Sequence, residues 1–391
     1  MRRLSEIKKD HVVSCVVLYV FAVLPDIGAP GYSCDADLMK KSKKVPTNVN
    51  SVRPADIKVI MALGDSLTAA NGAGAEDPVA VVLQYRGLAF QAGGDKSLDE
   101  HVTIPKVHLN IRTLPHSDIL KKYNPDVFGY SNGIGSPNVW EIARLNVAMP
   151  GANAKDLPGQ ARQLVSLLQE HTEVVNMKED WKLLNIFIGG NDICGYCRKP
   201  VEDSPYNCAQ NISQAVQIIY DNVPRVIVSV TGMLHLEMLR QTDTGHWFCE
   251  RLHHDECGCE SNKNFTDADI KQACYDYVKY ETAFQTAETF EKDDFTYVVQ
   301  PMFQDTLIPT MVNGKPSQIF FAPDCFHFSQ WGHALVSTYL WNNILQPVGS
   351  KSTVSNMSVP LLPLTCPDPA CPFIRTPKNS QDCSKYMTPH A

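Results

Sequence analysis

Apolar and polar positions along the chain alternate between two rhythms. The first clear run, Val59 to Leu63, passes straight into Gly64-Asp65-Ser66, which reads as a buried strand stopped by a tight turn. The spacing over Val79–Phe90 predicts a helix after that turn. Leu145–Ala148 is a second short strand, closed by Pro150-Gly151. Asp156 before Pro158 signals a helix start, and Leu157, Ala161, Leu164 and Leu168 follow on one helical face. Trp181–Ile188 predicts a third strand ending in Gly189-Gly190-Asn191-Asp192. Ile212, Ala215, Val216, Ile219, Tyr220 and Val223 mark another amphipathic helix, stopped by Pro224, before a fourth strand at Val226–Val230. Thr266 opens a capping box with Asp269, leading a helix through Ile270, Cys274, Tyr277 and Phe284 to a fifth strand at Phe295–Val299. Ser329 caps a last helix carrying Trp331, Leu335, Thr338 and Leu345. Strands alternating with helices predict a parallel α/β sheet with helices on both faces.

The flanks and excursions have other characters. Arg2, Arg3, Lys8 and Lys9 precede an apolar run from Val12 to Leu24, then Pro25, Gly28, Pro30 and Gly31. That is the layout of a secretory signal peptide within residues 1–33. Residues 34–54 form a polar arm, residues 55–350 hold the strands and helices, and residues 351–391 make a Cys/Pro-rich extended wrap. Residues 93–140 read as an irregular rim to the site, and Asn71-Gly-Ala-Gly74 as a flexible loop that can border it. No second long apolar run follows the first, so no transmembrane anchor is expected.

Composition sharpens this in two ways. Beyond Ser33 there are 31 basic against 39 acidic residues, a net of −8 that gives no support for nucleic-acid binding. Of 13 cysteines, Cys15 would leave with the leader, and the remaining twelve, an even set, predict disulfides in a secreted, extracellular protein. Asn211, Asn264 and Asn356 open glycosylation sequons. Cys249, Cys257, Cys259 and Cys274 stand near His253 and His254, a set from which zinc could be bound, although a disulfide-stapled insertion is the expected use.

The candidate chemistry begins at Ser66, placed just past the carboxyl end of a strand, where open α/β sheets present their ligands. Asp324 and His327 lie three apart, a spacing that lets a carboxylate hold one imidazole nitrogen while the other accepts a proton. Together they give serine, aspartate and histidine in chain order. Thr68 stands where the Gly-x-Ser-x-Gly elbow requires glycine, so that motif is excluded.

With Gly151 and with Asn191 in Gly189-Gly190-Asn191-Asp192, these blocks resemble those of the GDSL, or SGNH, hydrolases. Longer strings are similar to animal phospholipase B: Gln84-Tyr-Arg-Gly-Leu88, Gly93-Gly-Asp95, Phe187 to Cys194, Phe321 to Ser329 and Leu340 to Gly349. The resemblance runs from about Pro54 to Lys378, in one copy without the tandem repeats and anchor of the mammalian membrane-associated form. It implies a three-layer α/β/α sandwich around a five-stranded parallel sheet, with disulfide-tied insertions. It also implies Ser66 as nucleophile, His327 as general base and acid, and Asp324 as its orienter. The Ser66 and Gly151 N–H groups and the Asn191 amide would form the oxyanion hole. No metal or organic cofactor is implied. The implied reaction releases fatty acids from phospholipids and lysophospholipids through an acyl-enzyme. A short-chain or carbohydrate esterase on the same fold is the alternative, and a non-catalytic lipid-binding protein a more distant one.

Overall fold

The computed structural model describes residues 28–104, 119–243, 247–308, 317–358 and 362–387. The proposed leader lies outside these residues as far as residue 27. Four parallel strands form the central sheet in the order β1-β2-β3-β4: β1 Ile57–Gly64, β2 Trp181–Phe187, β3 Val226–Thr231 and β4 Phe295–Gln300. β2, β3 and β4 are buried along their whole length, and β1 is buried but for Lys58, which explains their near-continuous apolar runs. A pair of short strands, β5 Asp305–Leu307 and β6 Val354–Asn356, lies apart from this sheet.

Two short helices, α1 Ile119–Tyr123 and α2 Trp140–Ala143, precede the longer α3 Leu157–Glu170. Then come α4 Gly190–Tyr196, α5 Pro205–Asn222, α6 Glu237–Asp243, α7 Trp247–Glu256, α8 Asp267–Thr286, α9 Gln330–Leu345 and α10 Pro377–Gln381. α3, α5 and α8 pack side by side through apolar stripes such as Ala161, Leu164 and Leu168 of α3. α9 is buried almost all round, and Ser329 caps it by accepting the Gly332 N–H at 3.1 Å. Thr266 and Asp269 form the expected capping box on α8.

Two expectations need correction. Among the described residues the sheet has four strands rather than five. Residues 145–149 run along the outer edge of β1 with only one bridge, Ala62 to Asn146, and three hydrogen bonds to Ala62 and Gly64. This edge segment is short because Pro150 and Gly151 turn the chain away at once. No long helix occupies Val79–Phe90, where short 3-10 turns cover Ala80–Val82 and Arg86–Leu88. Its apolar residues do not share a face: Val79, Val82 and Leu83 are exposed while Leu88, Ala89 and Phe90 are buried. The disulfides expected of the twelve cysteines beyond the leader are present, pairing ten of them. Five disulfides join Cys34–Cys366, Cys194–Cys257, Cys197–Cys259, Cys249–Cys325 and Cys371–Cys383, and Cys208 and Cys274 stay buried as thiols.

Candidate active site

All the candidate groups lie beyond the carboxyl ends of the sheet or on the hairpin that follows β4. β1 delivers Gly64-Asp65-Ser66, the edge segment delivers Gly151, and β2 delivers Gly189 to Asp192. Gly64 is required by close approach, because a Cβ there would lie 2.4 Å from the Phe187 carbonyl oxygen. Gln160 of α3 holds both backbone polar groups of Gly64, donating to Gly64 O at 2.8 Å and accepting from Gly64 N–H at 3.0 Å. The turn that carries Ser66 is thus fixed from the helix layer as well as from the sheet.

Ser66 and the imidazole of His327 are hydrogen-bonded, Oγ to Nε2, at 2.8 Å, and His327 Nδ1 bonds Asp324 Oδ2 at 2.5 Å. Asp324 also accepts the Phe326 and His327 N–H groups at 3.1 Å each, so three donors fix its carboxylate. These contacts hold its pKa below the ordinary value even though burial, the largest single influence, pushes the other way. The loop is a tight hairpin in which Ala322 N–H donates to His327 O at 2.7 Å. Cys325 at its tip has a φ of +66°, a left-handed conformation that costs a side-chain-bearing residue roughly 1–2 kcal/mol. The Cys249–Cys325 disulfide ties that tip to α7.

Burial, the largest influence on His327, lowers its pKa, but the bond and charge of Asp324 outweigh it and leave the pKa above the ordinary histidine value. Glu256 at the end of α7 and Asp65 add to the upward push. As the candidate base, His327 must be neutral to take a proton from Ser66, so an activity that used it should rise with pH through the raised His327 value. Replacing Glu256 by glutamine removes one upward influence. Its expected result is an acidic limb of kcat/KM displaced to lower pH with an unchanged plateau, and a full pH–rate profile checks it. An unmoved limb would show that Glu256 is electrically silent at His327.

Gly151 has a φ of +77°, which favours glycine, and a Cβ there would meet open space. Its N–H and that of Ser66 have no acceptor among the described residues. Asn191 sits inside the first turn of α4 with its Nδ2 donating to Ala152 O at 2.9 Å. One amide hydrogen is therefore spent on holding the Gly151 arm, and the second is left over. The turn requirement falls on Gly189, whose φ is +114°, and Asn191 is not a positive-φ residue. Asp192 grips the arm further on by accepting the Ala154 N–H at 3.0 Å. Burial pushes Asp192 up to about 7 and Asp65 up to about 6. Sequence reasoning assigned no role to Gln160, Asp192 or Glu256. Only Asp192 had a signal, its place in the Gly-Gly-Asn-Asp string.

Beside Ser66 and Asn191 opens a pocket whose walls include Leu234, Leu236 and Leu239 on one stretch and Phe321, Phe326 and Phe328 on the hairpin. The free space between these walls is about 10 Å³, so what the site shows here is an apolar lining next to a serine–histidine pair. Three of the four cysteines in the zinc alternative, Cys249, Cys257 and Cys259, are taken by disulfides, and His253 pairs with Asp243 at 2.5 Å.

The chain matches the family model described as GDSL-like Lipase/Acylhydrolase over residues 60–340. It is 37% identical over 368 residues to "Phospholipase B1, membrane-associated" of Homo sapiens, covering 93% of this chain and 24% of that protein. The protein of the same name from Rattus norvegicus is 36% identical over 372 residues, covering 93% of this chain and 24% of its own length. The chain thus spans about a quarter of the length of these relatives. The crystal structure of phospholipase A1 from Streptomyces albidoflavus NA297 aligns with a TM-score of 0.28 and 15% identity, over 73% of this chain and 97% of that one, too loosely to carry an argument.

Proposed function

The chain belongs to the GDSL-like lipase/acylhydrolase family, and from that premise we propose that it is a serine hydrolase releasing fatty acids from phospholipids and lysophospholipids. The observation that carries the reading is the continuous hydrogen-bonded line Ser66–His327–Asp324 standing beside an apolar pocket. Ser66 Oγ attacks the acyl carbonyl carbon while its proton passes to His327 Nε2. Asp324 keeps the Nδ1 proton in place and balances the imidazolium charge. The oxyanion that forms accepts from the Ser66 and Gly151 N–H groups and the spare Asn191 amide hydrogen. Collapse breaks the ester bond, and His327 returns the proton to the departing alcohol oxygen, that of a lysophospholipid or a glycerophosphodiester. Water then gives a proton to His327, attacks the acyl-serine, and frees the fatty acid as Ser66 recovers its hydrogen. The names of the relatives support the phospholipid class, and the Leu and Phe walls support an apolar acyl group.

Passage through an oxidising compartment fits the five disulfides and the leader-like residues 1–33. The catalytic unit is residues 55–350, and Cys34–Cys366 and Cys371–Cys383 tie the flanking arm and wrap. No helix among the described residues is long and apolar enough to cross a membrane. Of the three sequons, Asn264 is exposed in a turn and suits a glycan, whereas Asn211 lies half-buried within α5 and Asn356 half-buried in β6.

A release assay with diacyl phospholipid, lysophospholipid, triglyceride and a short-chain ester tests the substrate class. Fatty acid should appear from both phospholipid substrates, at rates unaffected by a chelator. Turnover of the short-chain ester alone would favour the alternative esterase.

A further inference from the structure

Gln84-Tyr-Arg-Gly-Leu88 has no part in the chemistry described so far, yet Arg86 within it is fully buried. Its guanidinium donates from Nη1 to Asn146 O at 2.9 Å and from Nη2 to Ala148 O at 2.7 Å, while Nε reaches Gly135 O at 2.9 Å. Gln84 Oε1 accepts from Nε and Nη2 at 3.0 and 2.7 Å and sets the plane of the fork. Among the described residues no carboxylate pairs with it. Burial lowers its pKa only to about 10, so the group is charged at neutral pH. A buried cation held by neutral acceptors alone is costly.

What it organises follows from the register of the edge segment. Leu145 O accepts from Ala62 N–H, and the Val147 and Met149 N–H groups donate to Ala62 and Gly64, so this side of the segment is satisfied by β1. In an extended chain the alternate residues, Asn146 and Ala148, turn their carbonyls to the other side, where no strand follows. Arg86 fills that place, one fork spanning two carbonyls two residues apart. Three residues beyond Ala148 stands Gly151, which has no side chain to pack and so is positioned through the backbone on either side of it. Asn146 also donates to Thr68 O at 3.0 Å, which links the clamped segment to the Ser66 turn.

We propose that Arg86 is a positioning residue of the oxyanion hole, aiming the Gly151 N–H by clamping the Asn146 and Ala148 carbonyls at the open edge of the sheet. This rests on the serine-hydrolase reading above. Wild-type titration with a phosphonate tests that reading, whereas the ratio of variant to wild type tests the role of Arg86.

The variant is Arg86→Lys, which keeps the charge but replaces the fork with a point donor that cannot span both carbonyls in one geometry. Rates are normalised to phosphonate-titrated sites, so unfolded protein does not count. A misaimed donor should lower kcat about 10- to 100-fold with KM within about twofold of wild type. Binding of a trifluoromethyl ketone, which forms an oxyanion on Ser66, should weaken in parallel. The proposal is overturned if kcat per site stays within about twofold, if KM rises while kcat holds, or if ketone affinity is unchanged despite a lower kcat. Should Arg86→Lys yield no folded protein, Gln84→Met, which frees the fork without removing it, decides by the same readings with a smaller loss of about three- to tenfold.

Discussion

Ser66→Ala should lose about 10⁴- to 10⁶-fold in kcat while remaining folded, because among the described residues Ser66 is the hydroxyl hydrogen-bonded to His327 Nε2. The Ser66 side chain is nearly buried, and its described hydrogen bond is the one to His327. Alanine therefore removes one hydrogen bond, an expected stability cost of about 1 kcal/mol, against a barrier increase several times larger. His327→Ala should fall to a similar rate, and the double variant should be little worse than either single one, since the two act as a unit. Steady-state kinetics on a soluble ester with melting curves alongside measure this. A double variant slower by the product of the single losses would mean that Ser66 and His327 act independently.

The second large effect belongs to Asn191. Its structural role is the bond to Ala152 O, and its proposed chemical role is the second amide hydrogen. Removing an oxyanion donor should lower kcat about 10²- to 10³-fold with little change in KM. Removing a structural hydrogen bond alone should cost about 1 kcal/mol of stability and leave the folded enzyme's kcat in place. Asn191→Ala, with sites titrated and melting compared, separates the two. The local conformation already argues against selection for a left-handed turn, because Gly189 supplies that position.

Legibility in the sequence followed the range of the interaction. Asp324 and His327 are three residues apart, so their pairing is a local matter, and Ser66 was marked by the strand that ends two residues before it. The parallel strands were legible because burial on both faces leaves an apolar run. The groups that hold the site together were not. Gln160 reaches Gly64 across 96 positions and Arg86 reaches Ala148 across 62, and no spacing rule encodes such contacts. The Val79–Phe90 stretch looked helical because apolar residues recur there, but Val79, Val82 and Leu83 face solvent around a turn that delivers Arg86 to the sheet edge. Disulfide pairing was closed for the same reason, with Cys34 meeting Cys366 across 332 positions.

The central claim is that Ser66 becomes acylated with His327 as its base, and peptide mapping after reaction with a lipid-like phosphonate tests it most directly. The expected adduct is on Ser66, approaching one per folded molecule and forming far more slowly in His327→Ala. An adduct on another serine, such as Ser329, which is fully buried and caps α9, would contradict the assignment, as would labelling of His327→Ala at the wild-type rate.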